Sequence, residues 1–179
     1  MLGCTPKGRH TEQHDVYFTV APDIRGTVPG IIKFWPEAQG KIHIDAWREV
    51  TLVGNFRVEV LLKGDQSPDQ EASNKLFFIN LGGYKEDEFD EFHYKLLIAA
   101  PDMSAAIQQA KQTAFYKHTR FKGAESHIDD KFGVDVDDIY EIADILPAEL
   151  KENYRIRLTS GSTAGTDKLH LGYFKLANL

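Results

Sequence analysis

Lys75-Leu-Phe-Phe-Ile-Asn-Leu-Gly-Gly83 is a short apolar run that ends in two glycines, a pattern typical of a buried strand followed by a turn. A second strand is predicted over residues 92–99. Asp102 then follows a proline and can accept hydrogen bonds from the free amides at the start of a helix, whose apolar residues recur every three or four positions to about His118. With a further strand around residues 139–142, this part of the chain predicts a strand-strand-helix-strand unit.

The first part of the chain repeats this pattern, and an internal repeat constrains a fold more strongly than any single element. A shift of 79 positions aligns seven identical residues out of 22: Leu2-Gly3 with Leu81-Gly82, Glu12 with Glu91, His14 with His93, and Ala21-Pro22-Asp23 with Ala100-Pro101-Asp102. A shift of 84 positions then aligns His43-Ile44-Asp45 with His127-Ile128-Asp129, and Phe56 with Tyr140. We therefore predict an α+β fold built by tandem duplication of one unit, with the two copies arranged about a pseudo-twofold axis.

The repeat divides the chain into four segments. Polar, turn-forming residues separate the two copies and predict a flexible linker between them. Beyond the second copy, alternating apolar residues predict a C-terminal β-hairpin that packs on the repeats. The predicted segments are the first copy at residues 1–62, the linker at 63–74, the second copy at 75–146 and the hairpin at 147–179.

The first copy is predicted to be a shortened form of the unit. Pro36 ends its helix at about residue 35, because proline lacks an amide hydrogen and clashes with the preceding turn. Residues 52–62 would supply its closing strand. Its leading strand is expected to be missing, since Leu2-Gly3 aligns with the end of that strand in the second copy. The second strand of the hairpin, over residues 168–176, could take the vacant place.

Composition predicts a soluble globular protein and disfavours several classes of function. The formal net charge is −6, and acidic residues are densest over residues 86–91 and 129–144, so nucleic acid and an anionic membrane would be repelled. No stretch approaches the roughly 20 apolar residues that a membrane-spanning helix needs. Cys4 is the only cysteine, which excludes an internal disulfide and a cysteine-based zinc site and favours the cytoplasm.

Duplicated histidines and aspartates point to a metal site. A His-x-Asp pair on an extended segment places two donors on one face of a strand, and imidazole together with carboxylate suits zinc, iron or manganese. The candidate ligands of a divalent transition metal are His43 and Asp45 in the first copy and His127 and Asp129 in the second. Two related sites, or one site at the junction, would follow. Alternatively, these residues fix a turn or satisfy buried backbone groups.

A second group of polar residues lies near the start of the chain. Arg9, His10, Glu12 and His14 form a candidate ligand-binding pocket for an anionic group, because an arginine can hold a carboxylate or phosphate through two parallel hydrogen bonds. The second copy lacks this arginine, so the pocket would exist in the first copy alone. A solvated loop is the alternative interpretation.

Longer motifs occur along almost the whole chain: Gly3-Cys4-Thr5-Pro6-Lys7-Gly8-Arg9, Glu12-Gln13-His14-Asp15-Val16, His43-Ile44-Asp45-Ala46-Trp47-Arg48-Glu49-Val50, Asn80-Leu81-Gly82-Gly83-Tyr84, Ser126-His127-Ile128-Asp129-Asp130 and Lys168-Leu169-His170-Leu171-Gly172-Tyr173-Phe174. Together they resemble the bacterial family called domain of unknown function 1543 (DUF1543). The resemblance implies a small bacterial protein with one or two copies of the unit. It implies no activity, substrate or catalytic residue.

Two classes of function remain open at this stage, and the sequence does not choose an activity. The first is a noncatalytic ligand- or partner-binding module, whose partner would be a small molecule, another protein or a second copy of the chain in a homodimer. The second is a metal-assisted hydrolase or isomerase of small anionic metabolites, which would use the duplicated histidines and aspartates with Arg9 and Glu12.

Overall fold

A computed structural model describes residues 1–65, 74–83, 87–112, 136–161 and 165–179. Strands and helices are mixed along the chain, which confirms the α+β class. The strands are β1 (Leu2–Cys4), β2 (Gln13–Asp15), β3 (His43–Trp47), β4 (Leu52–Val53), β5 (Phe56–Leu62), β6 (Lys75–Gly83), β7 (Phe92–Ala100), β8 (Val136–Glu141), β9 (Tyr154–Ser160) and β10 (His170–Lys175). The α-helices in the described residues are α1 (Val28–Phe34), α2 (Met103–Lys111), α3 (Ile142–Ile145) and α4 (Ala148–Asn153).

The strands form three antiparallel sheets. The first sheet has the order β10-β3-β1-β2, the second β4-β5-β9 and the third β7-β6-β8. In the first sheet, β1 lies between β2 and β3, the next two strands along the chain. In the third sheet, β6 likewise lies between β7 and β8. No helix in the described ranges is long and apolar enough to cross a membrane.

β6 is the central strand of the third sheet, and every one of its residues after Lys75 is buried. Both of its faces are covered. Ile79 and Leu81 point toward α2, while Leu76 and Phe78 pack on the opposite face against the second sheet and α3. A strand covered on both faces needs a continuous apolar sequence rather than an alternating one. The predicted buried strand is therefore confirmed.

α2 begins where the sequence predicts. The Asp102 side chain accepts a hydrogen bond from the Ala105 amide at 2.8 Å, so it caps the helix. Ala106 and Ala110 are fully buried against the third sheet, and their small side chains allow the helix to approach the strands closely. The predicted extension of this helix toward His118 lies outside the described residues.

The first sheet contains a short leading strand rather than none. β1 has only three residues, yet it pairs with β2 on one side and β3 on the other, the place that β6 holds in the third sheet. Leu2 and Cys4 point into a core under this sheet, which Ile31 of α1 completes. α1 ends at Phe34, and Pro36 opens a short 3-10 turn just beyond it.

The predicted C-terminal hairpin is wrong. β9 pairs along its whole length with β5, from Phe56 opposite Ser160 to Leu62 opposite Tyr154, and β10 pairs with β3 at the edge of the first sheet. The strand predicted at residues 52–62 to complete the first copy is also placed elsewhere. It belongs to the second sheet, and β3 pairs with β1 in its stead. Alternation of apolar residues specifies which face of a strand is buried, but it does not specify the neighbouring strand.

We expect Ile79→Ala to lower the free energy of unfolding by about 2–5 kcal/mol, because Ile79 has no exposed surface and the truncation leaves a cavity at the centre of the third sheet. Leu171→Ala is the control, since Leu171 is 72% exposed on β10 and its truncation should change stability by no more than about 0.5 kcal/mol. Urea unfolding of the two variants beside the parent chain measures both values. Equal effects would contradict this account of the core.

Candidate metal centre

Gly3 lies at the centre of a polar group on the first sheet. His14 on β2 and His43 on β3 are its direct partners across the two antiparallel ladders, so all three residues share one face of the sheet. Asp45, two residues after His43 on the same strand, returns to that face. Glu12 immediately precedes β2 and reaches the same place. We call Glu12, His14, His43 and Asp45 the first cluster.

Imidazole and carboxylate side chains alternate around the first cluster. His43 Nε2 lies 3.0 Å from Asp45 Oδ1 and 3.2 Å from Glu12 Oε1. His14 Nε2 lies 3.4 Å from Asp45 Oδ2 and 3.5 Å from Glu12 Oε2. Each imidazole nitrogen thus contacts both carboxylates. These four contacts have the length of ion pairs, and they lie near the separation of about 2.9–3.5 Å between neighbouring ligands of one metal ion. The first cluster is wider across than a closed metal site, because among the described residues the group whose three ligand atoms all lie within 4.8 Å of one another is Glu91, His93 and Asp137.

Two buried atoms of the first cluster have no hydrogen-bond partner. The side chain of His43 is only 6% exposed, yet neither of the nearby oxygens is in line with its Nε2 atom, and Asp45 Oδ2 is equally unsatisfied. Leaving such a group unpaired costs on the order of 1–3 kcal/mol. The other side of the cluster is open, because the side chains of Glu12 and His14 are 42% and 46% exposed.

The absence of a side chain at position 3 makes room for these groups. A Cβ atom at Gly3 would lie 2.5 Å from His43 Nε2 and 2.6 Å from Asp45 Oδ2, closer than non-bonded atoms approach. The Tyr173 ring lies on β10, the strand next to β3. It stacks on His43 with 4.1 Å between the ring centroids and fixes the plane of the imidazole. A ligand held in one orientation by its neighbours is typical of metal sites.

Cys4 takes no part in this chemistry. Its side chain is buried, and burial raises the pKa of the thiol, with a smaller contribution of the same sign from the Glu12 carboxylate and an opposing one from Lys41. A thiol with a raised pKa stays protonated and is a poor nucleophile and a poor metal ligand.

The structure joins parts of two predicted sites into one. Glu12 and His14 come from the predicted anion pocket, and His43 and Asp45 come from the predicted metal ligands. Arg9 and His10 are exposed on a turn and do not line the cleft beside the cluster. The other two predicted metal ligands, His127 and Asp129, lie outside the described residues.

Strand register brings a second aspartate to a place like that of Asp45. Leu2 is paired with Ile44 in the first sheet, and Leu81 is paired with Val136 in the third. The residue that follows each partner is an aspartate, Asp45 in the first sheet and Asp137 in the third. The predicted correspondence of Phe56 with Tyr140 is not seen, because Phe56 lies on β5 of the second sheet and Tyr140 on β8 of the third. The predicted partners of His43 and Asp45 at residues 127–129 lie outside the described residues.

A second, smaller cluster follows from this correspondence. Glu91, His93 and Asp137 each offer a ligand atom within 4.8 Å of the others, and we call them the second cluster. His93 is paired with Gly82 across the ladder, as His14 is with Gly3. No sequence signal singled out Asp137, because it lies in a run of aspartates where only the register distinguishes one from the next.

Three residues of the first cluster and His93 of the second line one polar cleft between the first and third sheets. The cleft has a volume of about 550 Å³ and is lined by side chains from both sheets. These include Glu12, His14 and Asp45 from the first, and Asn80, His93, Lys95 and Asp138 from the third. The histidines that the repeat alignment paired, His14 and His93, therefore face a common space.

Residues 9–60 match the family model DUF1543, Domain of Unknown Function. This match supports the resemblance to that family, and the matched residues include all four members of the first cluster. Among solved structures, the chain is similar to the crystal structure of a protein Il1583 from Idiomarina loihiensis, with 22% identity, a TM-score of 0.62, and coverage of 98% of this chain and 93% of that one. This similarity concerns the fold. No curated protein matches the chain.

We expect Gly3→Ala to lower the free energy of unfolding by about 1–3 kcal/mol, because the added Cβ overpacks the space between His43 and Asp45. The loss should be smaller in a His43→Ala background, where one of the two clashing groups is gone. A double-mutant cycle by urea unfolding measures the coupling. Additive effects of the two substitutions would show that position 3 does not contact the cluster.

Proposed function

We propose that the protein is a ligand-binding module whose ligand is a divalent transition metal ion, held by Glu12, His14, His43 and Asp45. The observation that carries this proposal is that two buried atoms of the first cluster, His43 Nε2 and Asp45 Oδ2, have no hydrogen-bond partner. A cation at their centre would give both atoms a partner. It would also neutralise the two adjacent carboxylates, whose mutual repulsion is otherwise uncompensated when both imidazoles are neutral.

The donor set narrows the choice of metal. Two imidazole nitrogens and two carboxylate oxygens form a mixed set that suits zinc, iron(II) or manganese(II), whereas calcium and magnesium prefer oxygen alone. The tight packing of His43, between Gly3 and the Tyr173 ring, favours a small ion at short distance.

The module would consist of two diverged copies of one unit in a bacterial, cytoplasmic protein. The correspondence of strand order and register between the first and third sheets supports the duplication. The pairing of glycine with histidine at Gly3-His14 and Gly82-His93 supports it independently, because neither pair is needed for a sheet to form. A single buried thiol, Cys4, fits a reducing compartment.

Metal analysis of the full chain, purified without a histidine tag, tests the proposal. We expect about one equivalent of a tightly held transition metal in the parent protein, and its loss in both His43→Ala and Asp45→Asn, since removal of even an outer contact costs about 10- to 100-fold in affinity. His10→Ala is the matched control, because His10 is exposed and outside the cluster.

Circular dichroism of each variant separates loss of metal from loss of fold, and Asp45→Asn preserves the shape of the side chain. A folded Asp45→Asn or His43→Ala variant that retains the metal of the parent would refute the site. So would a parent protein that binds neither zinc, iron nor manganese after reconstitution.

The polar cleft favours a second candidate function, the metal-assisted hydrolysis or isomerisation of a small anionic metabolite. The exposed side of the first cluster opens onto this cleft, which leaves room for a water molecule or substrate on the ion, and Lys95 lines the same space with a positive charge. Zinc- or manganese-loaded protein should then hydrolyse a panel of small phosphate and carboxylate esters, and Lys95→Ala should raise KM. Absence of turnover with every ester would leave metal binding as the function.

A further inference from the structure

We infer that the second cluster, Glu91, His93 and Asp137, is a separate and weaker site for the same class of divalent ion. This inference extends the proposed metal binding, but its donors are all different from those of the first cluster. Each residue offers one ligand atom within 4.8 Å of the other two, and His93 Nε2 lies 3.1 Å from Asp137 Oδ2. One nitrogen and two carboxylate oxygens are donors that zinc and manganese accept.

The backbone under the second cluster has the same special feature as the backbone under the first. A Cβ atom at Gly82 would lie 2.5 Å from Asp137 Oδ2 and 2.7 Å from Oδ1. At Gly3, the equivalent atom would lie 2.6 Å from Asp45 Oδ2. In each sheet a glycine thus lets an aspartate lie across the central strand, beside the histidine that pairs with that glycine. Both sheets thus exclude a side chain at the same place, which indicates that the space above the glycine has the same use in both.

An unsatisfied atom in the cleft supports a polar occupant on this side as well. Asn80 is only 8% exposed, and its Oδ1 atom has no hydrogen-bond partner, although its Nδ2 atom donates to Asp138 at 3.2 Å. Asn80 lies two residues before Gly82 and lines the same cleft as His93, on the same face of the third sheet. A hydrated ion at the second cluster could bond this oxygen through one of its waters.

The second site should be the weaker of the two. It has three described donors where the first has four, and its histidine is far more accessible, with the His93 side chain 37% exposed against 6% for His43. Water competes better for exposed ligands, and a missing donor should cost at least as much as a missing outer contact, about 10-fold or more in affinity. Two ions would then bind, a tight one on the first sheet and an exchangeable one on the third.

Calorimetric titration of zinc ions into the chelator-stripped full chain tests the inference. We expect two steps of about one ion each, separated by at least about 10-fold in affinity. His93→Ala and Asp137→Asn should remove the weaker step and leave the tighter one within about 2-fold, since the two clusters share no ligand. His10→Ala should retain both steps.

The two proposals fail in different ways. His43→Ala should remove only the tighter step, and a weak step that persists in this variant supports the second site even if the first were absent. Absence of a weak step in the parent protein, or a weak step that survives in both folded His93→Ala and folded Asp137→Asn, overturns the inference and leaves the proposed function untouched.

Discussion

The close approach of two polar side chains to a glycine of the central strand organises the first sheet of this protein. At Gly3, the absence of a side chain allows His43 and Asp45 to lie across β1 at distances that any other residue would block. As a consequence, an imidazole is buried beside carboxylates. This burial costs free energy unless a charge compensates for it, because strongly hydrated groups have been removed from water. The first sheet therefore carries a polar cluster on this face, buried at His43 and open at Glu12 and His14.

Contacts between residues far apart in the chain join the segments of this fold. In the second sheet, strands β5 and β9 come from different parts of the chain and pair over seven residues, with an ion pair between Arg157 and Glu59 at 3.1 Å. On the cleft side, Phe18 packs against Phe78 at 5.3 Å between ring centroids, which joins the first half of the chain to β6 of the third sheet. Apolar packing thus joins the segment that follows β2 to the third sheet, beside the polar cleft that Phe78 also lines.

Local features of the fold could be predicted from the sequence, whereas partners across the sheets could not. The apolar run before Gly82 and the cap at Asp102 follow from short-range physics, and both predictions are confirmed. The pairing of β9 with β5 depends on contacts between residues about a hundred positions apart, which alternation does not encode. Likewise, the sequence indicates Glu12, His14, His43 and Asp45 as candidates but divides them between two hypotheses, because only the register around Gly3 shows that they meet. Asp137 was missed for the same reason.

Anomalous diffraction from crystals of the full chain grown with zinc, with data collected on both sides of the zinc absorption edge, tests the central claim most directly. The account predicts a peak about 2.0–2.2 Å from His14 Nε2, His43 Nε2 and an oxygen of each carboxylate of the first cluster. A zinc peak elsewhere with none at this place, and His43 Nε2 hydrogen-bonded to Asp45 instead, would contradict it.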